Sequence, residues 1–257
     1  MQEIKYPFFK KDRILKIEML ENLRDFPRDV LDIFCADLSD GIVCGFVPHV
    51  DKEIITIAKG IVKYKGVFYT MSSPISLAYG ETEQDVMLKL CFHDETQNQD
   101  YRIAYIDIKI EDDITLLPNQ IELGRFRLKK GAYLRSEYQD LYDFTTEYNT
   151  INVVHVLYAG QERTTLSKLV LQYFAKEMLA YRMEDAVDFS FCTLCLNSQR
   201  IERVVIEQYI AYKMEETVKE LSNAEIHKQL VKILEEIKKK NKKVQKKKMN
   251  TSKIILD

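Results

Sequence analysis

Residues 54–70 read IITIAKGIVKYKGVFYT, and this stretch decides how the middle of the chain is expected to fold. It opens on Ile54 to Ile57, whose β-branched side chains favour a strand. Two further apolar segments, 61–64 and 67–70, flank a Lys65-Gly66 pair. Because glycine readily takes the positive φ of a tight turn, these segments predict antiparallel strands, the last two joined by a two-residue hairpin loop.

Glycine and proline are unevenly distributed on either side of this stretch. All eight glycines lie between Gly41 and Gly160, and all five prolines precede residue 119. Glycine suits turns and proline stops helices, so their concentration between 41 and 131 indicates strands and tight turns. The last 97 residues contain neither, which predicts helices joined by short polar turns.

Alternation of side chains predicts more strands in the same region. Val86 to Phe92 and Ala104 to Ile110 alternate with period two, which predicts two half-buried strands. Between Ile121 and Leu128 the apolar phase slips at Gly124, which predicts a β-bulge there. The connections are too short for crossover helices, so antiparallel pairing in a small β-sandwich or open barrel is expected.

The first forty residues predict two short helices. Ile14, Ile17 and Leu20 keep a helical period, and Pro27 is expected to start a second helix over 29–36. We expect this segment to dock the chain onto a partner.

The glycine-free end of the chain predicts several helices. Thr164 or Thr165 is expected to cap the first, and others are predicted over 184–196 and 200–221. Ser222 with Glu225 fits a capping box, which predicts the start of one more helix. That last helix carries a heptad seam of apolar residues spaced 4, 3 and 4, with Val244 continuing the register: Ile226, Leu230, Ile233 and Ile237.

Together these signals predict an α+β protein with N-terminal helices, a small antiparallel β-sandwich or open barrel, and a C-terminal helical domain. The predicted parts are an N-terminal docking segment, a β module, a connector, a helical domain and a tail: 1–40, 41–135, 136–163, 164–248 and 249–257.

Composition excludes several classes of protein. Hydrophobic residues make up 46% of the 257 residues and charged residues 30%, the balance of a soluble globular domain. No apolar run approaches the ~20 residues of a membrane span, and the first residues lack the apolar region of a signal peptide. The five cysteines form an odd set without disulfide-scaffold spacing, which predicts reduced thiols.

Few residues have the spacing that chemistry needs. Cys192 and Cys195 form the one pair that suggests a metal or redox site, but no second pair exists and the surrounding stretch is apolar, which favours a buried structural role. His93 with Asp94 and Glu95 reads better as a solvated turn than as an acid–base group. The chain contains no P-loop, dinucleotide-binding, GxSxG or HExxH motif. We therefore predict no catalytic, cofactor-binding or metal-binding residues.

The lysine-rich end of the chain leaves two readings open. Residues 238–257 carry nine lysines and one aspartate, a local charge of +8, so the rest of the chain sums to −10. Such a tail can neutralise phosphates, but it lacks aromatic residues for stacking bases. A solvated or protein-docking tail is the first reading, and binding of nucleic acid is the alternative.

Aromatic residues crowd into the predicted connector, among them Tyr138 and Tyr142. Rings of this amphipathic kind suit protein interfaces. Packing of the β module against the helical half is an equally good interpretation.

The β region resembles a known family. Residues 39–45 read SDGIVCG, and with 54–69 they look like the small β module of phage baseplate and tail-fibre attachment proteins, whose closing strand is resembled by IELGRFRLKKGA at 121–132. With EYNTIN at 147–152 and YFAKEM at 173–178, the chain is similar to proteins of Clostridium-type prophages and phage-tail-like bacteriocins, some of them labelled helicases.

The resemblance implies a non-enzymatic structural subunit of a contractile phage-tail-like particle. Such a subunit is made in the bacterial cytoplasm, binds other baseplate or tail-fibre proteins, and is present in several copies in a symmetric assembly. No cofactor is implied, and nucleic acid remains the alternative partner. Nine apolar or aromatic residues are the candidate interface: Ile14, Ile17, Leu20, Tyr138, Tyr142, Ile226, Leu230, Ile233 and Ile237.

Overall fold

The fold is given by a computed structural model that describes residues 3–82 and 84–251, with the side chains of the last helix described as far as residue 242. The chain divides into two compact units, Met1–Leu38 and Ser39–Asp257. Helices and strands follow in the predicted order, and the α+β class with antiparallel sheets is confirmed. Among the described residues the sheets form no closed barrel.

The N-terminal unit contains one helix and not two. Helix α1 spans Ile17–Phe34 and runs through Pro27. Proline cannot donate the N–H that would reach the carbonyl of Leu23, so one hydrogen bond of the helix is lost. The apolar spacing nevertheless stays in phase across Pro27, from Leu20 to Phe34, and one continuous helix keeps that stripe on one face. The predicted break was wrong for this reason.

Short antiparallel strands make up the first part of the second unit. The strands are β1 Gly41–Cys44, β2 Pro48–Asp51, β3 Ile54–Ile57, β4 Gly60–Tyr64, β5 Val67–Met71, β6 Ile75–Ala78, β7 Val86–Phe92, β8 Thr96–Gln97, β9 Arg102–Ile103, β10 Ile106–Glu111 and β11 Gln120–Phe126. In the part of the chain that the structure describes, they form three sheets of three strands, in the orders β1-β4-β5, β2-β3-β6 and β10-β7-β11, and one two-stranded pair, β8-β9.

The predicted hairpin and bulge are both confirmed. Lys65 and Gly66, with φ of 49° and 75°, join β4 to β5. Positive φ at both turn residues is the geometry that matches the twist of the flanking strands. In β11 the register against β7 shifts between Glu122 and Gly124, and Gly124 has a φ of 151°.

Strand β7 differs from the sequence prediction of a half-buried strand. All seven of its residues are buried. The strand lies at the centre of its sheet, and the side chains on both of its faces are buried. An alternating sequence pattern predicts burial of one face only, so it could not predict this result. Even Lys89 is 1% exposed, and its ammonium donates to the carbonyl of Thr115 at 2.8 Å and lies 3.0 Å from Glu111.

Residues 136–163, expected to be a connector, are part of the core. Leu141, Phe144, Ile151 and Val154 are fully buried. The segment contains one 3₁₀ turn, Asp143–Thr145, and otherwise irregular backbone with several turns and bends that makes single bridges to its neighbours. Residues 152–158 were predicted as a strand or a buried extended segment, and the structure shows neither without interruption. Asn152 and Tyr158 make single bridges, residues 154–155 form a turn, and Leu157 is 39% exposed.

Four helices complete the second unit: α2 Lys168–Leu179, α3 Ala186–Asn197, α4 Arg203–Met214 and α5 Asn223–Thr251. The cap of α2 is Ser167, whose hydroxyl accepts the N–H of Leu169. Thr165 was a wrong choice because its hydroxyl donates to the carbonyl of Ile201 at 2.6 Å. Helix α4 is shorter than predicted, since Glu215 takes a left-handed conformation and ends it.

The start of α5 is as predicted. The Ser222 hydroxyl accepts the N–H of Glu225 at 3.3 Å, and the Glu225 carboxylate accepts the N–H of Ser222 at 2.7 Å. This reciprocal pair is a capping box. Helix α5 then packs against α2 and α4, and strands and helices of this unit share one continuous hydrophobic core.

Candidate interaction surfaces

Helix α1 presents an apolar stripe to solvent. At 100° per residue, nine apolar residues fall on one side of the helix: Met19, Leu20, Leu23, Phe26, Pro27, Val30, Leu31, Ile33 and Phe34. None of the residues of α1 is buried. The predicted interface residues Ile17 and Leu20 are 74% and 47% exposed, and Ile14, just before the helix, is 88% exposed. These three side chains are available to a partner.

The opposite side of α1 is acidic. It carries five acidic residues and two arginines: Glu18, Glu21, Asp25, Asp29, Asp32, Arg24 and Arg28. Arg24 donates two hydrogen bonds to Asp25, at 2.6 and 2.7 Å, and this partner lowers the pKa of the Asp25 carboxyl. The helix therefore separates apolar and charged side chains cleanly.

The two predicted interface tyrosines lie in the second unit, and they differ from one another. Tyr138 is buried, stacks on Phe144 with ring centroids 3.9 Å apart, and donates to the carbonyl of Ile151 at 2.7 Å. Burial raises its pKa. Tyr142 is half-buried, and the Lys238 ammonium lies 5.0 Å from its ring centroid. For Tyr138, packing inside the chain is the interpretation that the structure supports.

The predicted seam on α5 faces the core of its own chain. Leu230 and Ile226 are fully buried, and Ile233 and Ile237 nearly so. His227, on the same helix, is buried as well, and its Nε2 lies 2.8 Å from the carbonyl oxygen of Leu141. The heptad spacing therefore reflects packing inside the chain, and these four side chains are not exposed to a partner protein.

The Cys192 and Cys195 side chains are completely buried on α3, as expected for a structural role. Burial raises the pKa of Cys192 to about 12 and raises that of Cys195 as well. Thiols in such surroundings stay protonated and unreactive at neutral pH. Among the described residues, no group of three or more histidine, cysteine or acidic side chains is placed to hold a metal ion.

A buried charge cluster between α3 and α4 was not foreseen from the sequence. The carboxylate of Asp188, which is fully buried, accepts from the Tyr209 hydroxyl at 2.7 Å and from the Lys213 ammonium at 2.8 Å. Burial raises the pKa of Tyr209. Lys213 also donates to Asp185 at 3.1 Å. These groups satisfy one another, which is the arrangement of a structural ion pair.

An open cleft of about 770 Å³ in the second unit is lined mostly by polar and charged residues, among them His155, Arg163 and Arg203. Arg163 donates to Glu207 at 2.7 Å and to Glu220 at 3.0 Å. Arg203 is buried and donates to the backbone carbonyls of Thr164 and Leu221 and to the side chain of Asn223. Both guanidinium groups are thus engaged in holding the loop before α5. Burial lowers the pKa of His155.

The lysine-rich end of the chain begins as part of the fold. Lys238 donates to Glu177 at 2.8 Å, and Asn241 accepts the N–H of Arg182 at 3.2 Å. Beyond these contacts, the backbone of α5 continues to Thr251. Val244, the predicted continuation of the heptad, lies outside the described side chains, and residues 252–257 of the predicted tail lie outside the described residues. No described helix is long and apolar enough to cross a membrane.

No protein-family model and no curated protein matches the chain. The solved structures that are similar include a chain of a type VI secretion system TssK-TssF-TssG baseplate subcomplex, at 8% identity and a TM-score of 0.39, over 91% of this chain and 99% of that one.

Two further solved structures are similar at comparably low identity. A crystal structure of TssK is 9% identical, with a TM-score of 0.35, over 90% of this chain and 69% of that one. A chain of a type VI secretion baseplate complex is 10% identical, with a TM-score of 0.37, over 91% of this chain and all of that one. TM-scores this low do not establish a common fold.

Proposed function

We propose that this chain is a non-enzymatic structural subunit of a contractile phage-tail-like particle, in the baseplate or the fibre-attachment region. The observation that carries the proposal is α1. An amphipathic helix with no buried residue is an interaction element, because an exposed apolar stripe of this length is rare on a protein that works alone. The resemblance of the β module to baseplate and tail-fibre attachment proteins supports the choice of particle.

The polar residues of the second unit support a role without catalysis. The two charge clusters that could be taken for active sites, around Asp188 and around Arg203, use their hydrogen bonds within the chain. Neither offers a nucleophile next to a base that is free to act on a substrate. The proposed work is mechanical: the second unit holds a fixed shape, α1 is an element of association, and the chain binds other baseplate or tail-fibre proteins in an assembly of several copies. On this proposal the chain is made in the bacterial cytoplasm and assembled into a phage or phage-tail-like particle.

The experiment is to purify contractile particles from producing cells and identify their proteins by mass spectrometry. We expect the chain in the particles, and we expect the doubly substituted Leu23→Glu, Val30→Glu chain to be absent from them. Arg28→Glu, on the acidic side of α1, is the matched control and should be incorporated. A chain that is missing from the particles, or ATP turnover by the purified protein that a point substitution abolishes, would contradict the proposal.

A nucleic-acid-associated phage protein is the second candidate. The observation that favours it is the helical backbone of α5 through the lysine-rich residues up to Thr251, since a segment rich in lysine can neutralise the phosphates of nucleic acid. It predicts binding to DNA that weakens steeply with salt and does not depend on sequence.

A further inference from the structure

We propose that α1 joins copies of this chain to one another, by packing its apolar stripe against α1 of neighbouring copies. Helix α1 is marginally stable by itself. It has 18 residues and is therefore about 27 Å long. An isolated helix of this length is marginal in water, and an interior proline such as Pro27 costs about 3 kcal/mol more. Tyr6 contacts the stripe at Phe26, with ring centroids 5.9 Å apart, so a lasting α1 needs the rest of the stripe to be covered.

The spacing of the stripe is that of helices which pack side by side. Its central residues are separated by 3, 4, 3 and 4 positions: Leu20, Leu23, Pro27, Val30 and Phe34. These are the a and d positions of a heptad repeat. The flanking g positions, Met19, Phe26 and Ile33, are apolar as well. An apolar face of this width exceeds a two-stranded seam and suits a bundle of more than two helices.

The charges select a second copy of the same chain as the occupant. All five acidic residues of α1 fall at b, c and f positions, which point away from a helix packed on the stripe. The e and g positions that border a partner contain one charge, Arg24, and it is paired with Asp25 of its own helix. Identical helices can therefore meet without bringing like charges together.

The same charges argue against a membrane surface as the occupant. Helices that lie on anionic lipid carry lysine and arginine on their polar side. The polar side of α1 carries five acids and two arginines, a net charge of −3. Anionic lipid would repel it.

The test uses the full chain, and it does not depend on the proposed function because it reads only association. We expect analytical ultracentrifugation of the wild type over a concentration series to show an oligomer of more than two copies. Leu23→Glu should sediment as a monomer, and Arg28→Glu should sediment as the wild type does. Neither position is buried, so circular dichroism should report an intact second unit in both variants.

A second measurement locates the contact. In a Cys44→Ser background, which removes the exposed native thiol, Val30→Cys should form disulfide-linked copies under mild oxidation, and Arg28→Cys should form at least fivefold fewer. A wild type that stays monomeric, including one that binds instead to lipid vesicles or to a different protein, overturns the proposal. So does a Leu23→Glu variant that associates like the wild type, or equal crosslinking at the two positions.

Discussion

The carboxylate of Asp40 accepts the backbone N–H of Lys65 at 2.7 Å, and its second oxygen lies 3.2 Å from the N–H of Gly66. One side chain thus holds the turn of the β4–β5 hairpin, 25 residues further along the chain. The residue just before β1 is thereby tied to the hairpin whose first strand pairs with β1. The Asp40-Gly41 pair and the Lys65-Gly66 turn are separate signals in the sequence, but in the structure these hydrogen bonds connect them.

Replacing Asp40 by alanine should destabilise the second unit. Two backbone N–H groups lose a charged acceptor, which is expected to lower the free energy of unfolding by about 1–2 kcal/mol. Urea unfolding followed by circular dichroism measures this change. Asp94→Ala, in the exposed loop after β7, is the matched control and should shift the midpoint little. Equal effects of the two substitutions would contradict a special role for Asp40.

Gly124→Ala should be more damaging. Its φ of 151° is strained for any other residue, and an added Cβ would lie 2.9 Å from the Ile151 side chain. Strain of this kind is expected to cost about 2 kcal/mol or more. Gly80→Ala is the control, because nothing lies within 4 Å of a Cβ added there. Thermal unfolding of both variants checks the prediction, which fails if Gly124→Ala melts like Gly80→Ala.

The features that could be predicted from sequence depend on residues close together in the chain. The Lys65-Gly66 turn, the bulge at Gly124 and the Ser222–Glu225 capping box each follow from the backbone preferences of one or two residues. Backbone preferences of this kind depend little on how the rest of the chain is folded. The antiparallel class followed from connection lengths, which are also local.

The features that could not be predicted depend on what covers each element. The spacing of Ile226 and Leu230 is the same whether the partner is another chain or α2 and α4 of this one, and only the fold distinguishes the two. The burial of Lys89 depends on both neighbours of β7 and on a loop beyond residue 111. Thr164 or Thr165 was predicted as the cap and Ser167 was missed, because the hydrogen bond from the Thr165 hydroxyl to the carbonyl of Ile201 exists only in the folded chain.

Acidification should destabilise the protein through His227. Burial lowers the pKa of this histidine in the folded state below the usual 6.5, so the unfolded chain binds a proton first. The stability is fully present above pH 6.5 and is lost as the pH falls below it. His155 shifts in the same direction. Urea midpoints between pH 7.5 and 5.5 should fall for the wild type.

A His227→Gln variant isolates this contribution. It should be less stable than the wild type at pH 7.5, because the contact with Leu141 is altered. Its urea midpoint should depend less on pH over the same range. A variant with an unchanged pH slope would show that His227 does not carry the effect.

The thiols should react as the burial pattern dictates. Cys44 is exposed, and Cys35, Cys91, Cys192 and Cys195 are buried. With a pKa of about 12, only about one Cys192 in ten thousand is a thiolate at pH 8. Titration with a disulfide reagent should find one fast thiol in the native protein and five after denaturation. Fast reaction of a second thiol that is lost in Cys192→Ser, or bound zinc near one per chain, would revive a redox or metal role.

The last prediction concerns the lysine-rich end of α5. Eight lysines lie within residues 238–248, and the rest of the chain is acidic. Lys238 already binds Glu177, and Asn241 binds Arg182, so a chain ending at residue 241 keeps both contacts and should unfold at the wild-type midpoint.

We expect the lysines beyond residue 241 to contact the acidic surface of another subunit and not DNA. Removing 242–257 should therefore prevent incorporation into particles and leave DNA retention in a gel unchanged at low salt. Replacing the lysines of 242–248 by glutamine tests whether charge is responsible, and the contact should weaken as salt rises. Intact assembly together with lost DNA binding would reverse the assignment and favour the nucleic-acid alternative.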